Sequence, residues 1–138
     1  MTPRERIEAD DKRPDLPATF RGGCHCGAVR FSVTVRTWRV SLCNCSMCAK
    51  KRYLHVIVPA EDFVLERGQN ALLTYTFNTR TAKHHFCGTC GIHSFYAPRS
   101  HPDGFSVNAF CLDDAPEAWF DIEKFDGQDW ERHVDEIP

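Results

Sequence analysis

The sequence has no run approaching the ~18 consecutive apolar residues that cross a membrane as a helix, so a membrane-spanning role is not expected. Its opening, Met1-Thr2-Pro3-Arg4-Glu5-Arg6, carries none of the apolar stretch that heads a secretion signal, and the expected location is the cytoplasm. It has no low-complexity tract and no repeat at solenoid spacing. Charge of one sign is also lacking: the formal net charge is −2, with 26% charged and 42% hydrophobic residues, which excludes a wholly disordered chain. The charge is uneven, however. Residues 1–52 hold eleven Lys/Arg against five Asp/Glu, and residues 113–138 hold two against ten. Nearly balanced totals argue against a general polyanion binder, so nucleic acid is not the expected partner.

At 138 residues the chain supports one domain around a single core. Residues 1–19 are charged, contain Pro3, Pro14 and Pro17, and read as a flexible arm. The domain is expected over 20–132 and a short tail over 133–138. Ala28 to Arg36 alternates Val29, Phe31, Val33 and Val35 with polar residues, the signature of a half-buried strand. Further strands are expected at Trp38–Leu42, Leu54–Val58, Phe63–Glu66, Leu72–Asn78, Ser94–Ala97 and Phe105–Phe110. Turn signals separate them at 66–70, 78–80 and 98–104. Helix signals are few: one or two turns over Cys45–Arg52, and a segment capped by Asp129 running to Glu136. The fold class is mainly β with short helices.

What the sequence does have is cysteine. There are eight: Cys24-His25-Cys26, Cys43-Asn44-Cys45-Ser46-Met47-Cys48, Cys87-Gly88-Thr89-Cys90, and Cys111 alone. Neighbours this close do not readily form disulfides with each other, whereas tetrahedral zinc takes thiolates from short loops. Seven clustered cysteines divide as four plus three. Cys24, Cys26, Cys87 and Cys90 would close a structural zinc site across about sixty residues, a bridge that stabilises by restricting the unfolded chain. Gly88 and Gly91 would permit the positive φ that turns amides toward sulfur.

Cys43, Cys45 and Cys48 would grip a second zinc from one side. Three thiolates leave a net charge of −1 and a fourth position for water or an incoming thiol, whose pKa the metal lowers. Lys50, Lys51 and Arg52 follow and would offset that charge or hold a substrate carboxylate. Each reading has a plainer one beside it. The triplet is also compatible with a second structural zinc completed by Cys111 or a histidine, and Cys87/Cys90 with a redox dithiol, although its βαβ context is missing. Lys50–Arg52 also reads as a solvated face. His25, His55, His84, His85 and His93 read as packing residues or as partners of ligands. Phe31, Trp38, Tyr75, Phe77, Phe95 and Tyr96 read as core.

Gly23-Cys24-His25-Cys26-Gly27-Ala28-Val29-Arg30-Phe31, the triplet, and Phe86-Cys87-Gly88-Thr89-Cys90-Gly91 together resemble the glutathione-dependent formaldehyde-activating enzyme family, which shares its domain with centromere protein V. The stretches at 55–59, 74–79 and 94–100 look closer to the centromere protein V branch. The resemblance implies an Mss4-like zinc-binding β-sheet fold with two zinc ions, the first on Cys24, Cys26, Cys87 and Cys90. The second, catalytic, would sit on Cys43, Cys45 and Cys48. It also implies a carbon–sulfur lyase acting on a thiol–aldehyde adduct such as S-hydroxymethylglutathione, with glutathione as co-substrate. His55, His84 or His93 would carry the proton. The alternative is a non-enzymatic zinc module, resembling centromere protein V, that binds protein or nucleic acid.

Overall fold

The computed structural model describes residues 13–77, 82–98, 100–101 and 103–126. Among them are ten strands and one α-helix. Strands β1 (Ala18–Gly23), β2 (Arg30–Val35) and β5 (Phe63–Arg67) form an antiparallel sheet in the order β1-β2-β5. A second sheet takes the order β10-β3-β4-β9-β8, from β3 (Arg39–Cys43), β4 (Leu54–Pro59), β8 (Phe95–Tyr96), β9 (Gly104–Asn108) and β10 (Asp121–Phe125). Only β10 on β3 is parallel within it. β6 (Leu72–Tyr75) and β7 (His84–Cys87) make a separate pair. The mainly-β expectation holds.

Alternation explains how the core forms. Phe31, Val33 and Val35 of β2 point inward, while Arg30, Ser32 and Thr34 stay partly exposed. They meet Val40, Leu54, Val56, Val58, Phe95 and Val107, which share one face of the five-stranded sheet. Aromatic rings seal the layer: Phe63 lies 5.5 Å from Phe31, 4.8 Å from Phe95 and 4.6 Å from Phe105. Trp38 packs edge-on to Phe120 at 5.3 Å and to Trp119 at 5.8 Å.

Three strands lack a sequence signal of their own. β1 reads Ala-Thr-Phe-Arg-Gly-Gly and begins at Ala18, so Ala18 and Thr19, read with the arm, pair with Val35 and Thr34. Arg13 also bonds the carbonyl of Trp119 at 2.6 Å. β7 carries two histidines, and β10 is an edge strand with four of five residues exposed. In each the partner strand, not local patterning, decides the conformation. β9 is shorter than expected: Asn108 accepts a hydrogen bond from the Phe110 N–H at 3.1 Å and turns the chain into a 3-10 turn at Ala109–Cys111. Asn78, the 78–80 turn and the 129–136 segment lie outside the described residues.

The uneven charge of the sequence closes on itself. Arg30 pairs with Asp113 and Arg39 with Glu123, joining the basic front to the acidic end. Arg21 pairs with Glu66 at 2.6 Å and Arg36 with the nearly buried Asp62 at 2.8 Å. Four arginines of the basic front half are thereby paired with acids. No helix among the described residues is long and apolar enough to cross a membrane.

Gly68 is a sharp test of the turn after β5. Its φ of +99° is left-handed, and an added Cβ would run into the carbonyl of Ala28 and approach Val29 Cα at 2.6 Å. Gly68→Ala should therefore cost about 2–3 kcal/mol in chemical denaturation, with an unchanged m-value.

Candidate metal centres and the polar face beside them

The two halves of the first centre come from two tight turns. Cys24 N–H bonds the carbonyl of Val29 at 3.1 Å, and Cys87 N–H bonds that of Ile92 at 3.1 Å. Gly27 (φ +82°) and Gly91 (φ +78°) make these turns feasible. Gly88, expected to share that task, does not have a positive φ. It is small because it fits against Leu73 of β6 and the turn before it, where its N–H bonds the Ala71 carbonyl at 2.8 Å. The turns bring the sulfurs of Cys24, Cys26, Cys87 and Cys90 within 4.8 Å of one another. Cys26 Sγ is 3.6 Å from both Cys24 Sγ and Cys87 Sγ. A Zn–S bond of about 2.3 Å in a tetrahedron demands sulfur separations of about 3.8 Å, so the donor set fits zinc; disulfide bonding would need about 2.05 Å. Backbone N–H groups of Val29 and Thr89 donate to Cys24 Sγ and Cys87 Sγ at 3.3 and 3.4 Å, as a thiolate site requires.

The second cluster sits where β3 runs into helix α1 (Ser46–Lys51). Cys43 ends the strand, Cys45 caps the helix by accepting the Cys48 N–H at 3.3 Å, and Cys48 faces inward one turn on. Their sulfurs also lie within 4.8 Å of one another, and among the described residues no fourth His, Cys, Asp or Glu joins them at that distance. The thiols divide the proton load. Hydrogen bonds from Cys43 and Cys48 pull Cys45 down to about 2, and contact with Cys43 and Cys45, plus burial, pushes Cys48 up. Three thiols that share protons in this way would release them to solvent when a cation binds their sulfurs. Cys111 is elsewhere: burial, then the charges of Cys24 and Cys90, push its thiol up to about 12, and its Sγ faces the His93 carbonyl at 3.9 Å.

The sheet face opposite the core carries the surrounding chemistry. Strand register sets Ser41 beside His55, with Cys43 two residues further on the same face of β3, and His55 beside Asn108, with Ser106 and Tyr96 paired on the same face. His55 Nδ1 lies 3.1 Å from Ser106 Oγ and 3.0 Å from the Tyr96 hydroxyl, while its buried Nε2 has no hydrogen-bond partner among the described residues. Tyr53, fully buried, donates to the Ser106 carbonyl at 2.6 Å. Lys51 is the unexpected member. Of the basic run, Lys50 and Arg52 are exposed as a solvated face would be, but Lys51 folds inward over the rings of Tyr96 (4.2 Å) and Tyr53 (4.6 Å). Its Nζ lies 3.2 Å from His84 Nδ1. Burial lowers its pKa to about 8, and the thiols of Cys48, Cys45 and Cys43 oppose that fall.

The three histidines offered as proton carriers all become weaker bases through burial: His55 falls to about 3, and His84 and His93 to about 4. The structure brings His55 and His84 into electrostatic range of Cys45, whereas His93 packs on Phe86 at 5.1 Å. Tyr53, Tyr96 and Ser106 were invisible as site residues, since buried tyrosines read as core. Only the register of β4, β8 and β9 reveals them.

A pH dependence follows. His55 is neutral when folded and ordinary when unfolded, so below about pH 6.5 the unfolded chain binds the extra proton and stability falls as pH drops toward 3. His55→Gln should flatten this slope. The check is urea midpoints of both proteins between pH 7 and 5, where metal loss in acid is common to both and cancels in the difference.

The family model described as glutathione-dependent formaldehyde-activating enzyme matches residues 19–127. Among solved structures, the chain is similar to a Rhodobacter sphaeroides protein determined in a structural-genomics programme. The identity is 36%, over 71% of this chain and 92% of that one, with a TM-score of 0.67. The order of the cysteine clusters, their convergence on two centres and the match across 19–127 agree, and the chain belongs to the glutathione-dependent formaldehyde-activating enzyme family.

Proposed function

We propose that this chain is a zinc-dependent carbon–sulfur lyase that joins and separates glutathione and formaldehyde as S-hydroxymethylglutathione. One structural zinc would be held by Cys24, Cys26, Cys87 and Cys90, and a second by Cys43, Cys45 and Cys48. The observation that carries the reading is the three-thiol cluster at the start of α1, with no fourth donor beside it among the described residues and a half-buried lysine next to it. Bound zinc supplies a Lewis acid that lowers the pKa of a thiol or water and polarises a carbonyl oxygen.

The protein's own groups account for the rest. Synthesis forms a C–S bond, opens the C=O π bond, and moves one proton from sulfur to oxygen. Lys51 and His84, hydrogen-bonded at 3.2 Å, are the pair that holds this proton; with Lys51 near 8 it both accepts and returns it around neutral pH. His55, lowered to about 3, stays neutral and serves to fix Tyr96 and Ser106. The rings of Tyr53 and Tyr96 hold the lysine in place and keep water from it. Eight free thiols suit a reducing compartment, and we place the protein in the cytoplasm. On the stretches at 55–59, 74–79 and 94–100 we read it as nearer the centromere protein V branch.

The test is exchange spectroscopy of glutathione with formaldehyde in the presence of zinc-loaded protein, together with zinc-edge absorption. Acceleration over the spontaneous rate, with two zinc ions per chain in S4 and S3(N/O) environments, supports the reading. No acceleration on any thiol–aldehyde adduct, with two S4 centres, would leave a non-catalytic zinc module.

A further inference from the structure

Lys50, Lys83 and Lys124 are exposed, as lysines usually are, whereas Lys51 is half-buried and has no carboxylate partner among the described residues. Its Nζ lies 4.2 Å from the ring centroid of Tyr96 and 4.6 Å from that of Tyr53, and it donates to His84 Nδ1 at 3.2 Å. Beyond these three rings, the titratable groups in electrostatic range are His55 on β4, His93, and the thiols of Cys43, Cys45 and Cys48. Two aromatic faces and an imidazole solvate an ammonium poorly, so the neutral amine gains from this setting.

With its pKa lowered to about 8, about a tenth of this amine is free base at pH 7, against about one in 3,000 for a solvated lysine. A free amine attacks carbonyl carbon, and desolvated lysines are the ones that form Schiff bases in proteins. Lys51 also lines a cleft of about 560 Å³, which gives a small carbonyl compound its approach. Three rings crowd the nitrogen, so the space beside it suits a one-carbon aldehyde and not a bulky one.

We infer that Lys51 is a covalent capture site for a small aldehyde, held on Nζ first as a carbinolamine and then as an iminium. That the aldehyde is formaldehyde rests on the proposed function; the nucleophile and its surroundings do not. The step balances. The Nζ lone pair forms a C–N bond as the C=O π bond opens onto oxygen. One proton leaves the nitrogen by way of His84 Nδ1 and passes to that oxygen, which gives the carbinolamine. A second proton, from solvent, releases the oxygen as water and leaves the iminium. Addition of water reverses both steps and returns the aldehyde.

The experiment uses zinc-loaded protein at pH 7 without glutathione. Isotopically labelled formaldehyde is added with cyanoborohydride, which reduces the iminium to N-methyllysine, and fragment-ion mass spectra place each methyl group. Lys51 should be methylated at least about tenfold faster than its neighbour Lys50, and than Lys83 and Lys124, because so much more of it is free base. Benzaldehyde in place of formaldehyde should reverse that order, since the crowding rings exclude it. Lys51 methylated no faster than the exposed lysines, or benzylated as readily as they are, overturns the capture site and leaves this side chain as a counter-charge to the thiols. Lyase activity is read separately: a protein that exchanges glutathione with formaldehyde but spares Lys51 keeps the proposed function and loses this site.

Discussion

Cys45→Ser is expected to lower turnover of S-hydroxymethylglutathione by roughly a thousandfold or more while leaving a folded protein with about one zinc per chain. The argument is local. Cys45 lies between Cys43 and Cys48 in sequence, accepts hydrogen bonds from both, and caps α1. Lewis-acid stabilisation supplies several kcal/mol of barrier lowering, and each 1.4 kcal/mol is about a factor of ten in rate. Serine keeps the cap, because its hydroxyl also accepts the Cys48 N–H, so the helix survives while the metal grip fails. Loss of a single cap would cost only about 1 kcal/mol, too little to unfold the domain. Full activity in this variant, or two zinc ions retained, would remove the enzymatic account.

Cys87→Ser should instead abolish the fold. Cys87 is 1% exposed, ends β7, and bridges to Cys26 across 61 residues. Structural zinc contributes apparent free energies of about 10–16 kcal/mol at neutral pH, as large as the whole stability of an ordinary domain at about 5–15 kcal/mol. The variant should be insoluble, or lack a cooperative melt in circular dichroism. A chelator should do the same to the parent protein, and added zinc should reverse it. A soluble Cys87→Ser protein melting at the parental temperature would contradict the structural role.

The grouping of these cysteines into four and three was legible in the sequence because metal chemistry is short-ranged. C-x-C and C-x-x-C fix their own geometry within a few bonds, so the clusters announce themselves whatever the fold. β2 was equally plain, since its alternation is written in consecutive residues. β1, β7 and β10 were not, because each is strand-like only against its neighbour. Their apolar content is too slight to signal burial alone. Lys51 shows the same limit more sharply. Between two exposed basic residues it reads as solvent-facing, and only the arrival of Tyr96 and His84 from forty-five and thirty-three positions away turns it inward. Gly88 was misread for a related reason. Its neighbourhood suggested a positive φ, but the demand on it comes from β6, not from its own turn.

The parallel seating of β10 on β3 has a consequence for how the molecule is born. Phe125 packs with Cys43 and Cys48, and its carbonyl accepts the Asn44 N–H at 3.2 Å, yet it is synthesised about eighty residues later. At 5–20 residues per second that interval is roughly 4–16 s. Throughout it, three neighbouring thiols within six residues are able to chelate a cation before their roof exists, whereas the other centre must wait for Cys87 and Cys90. An ion held by the three-thiol cluster would therefore be admitted on the ribosome before one held by the four-thiol cluster.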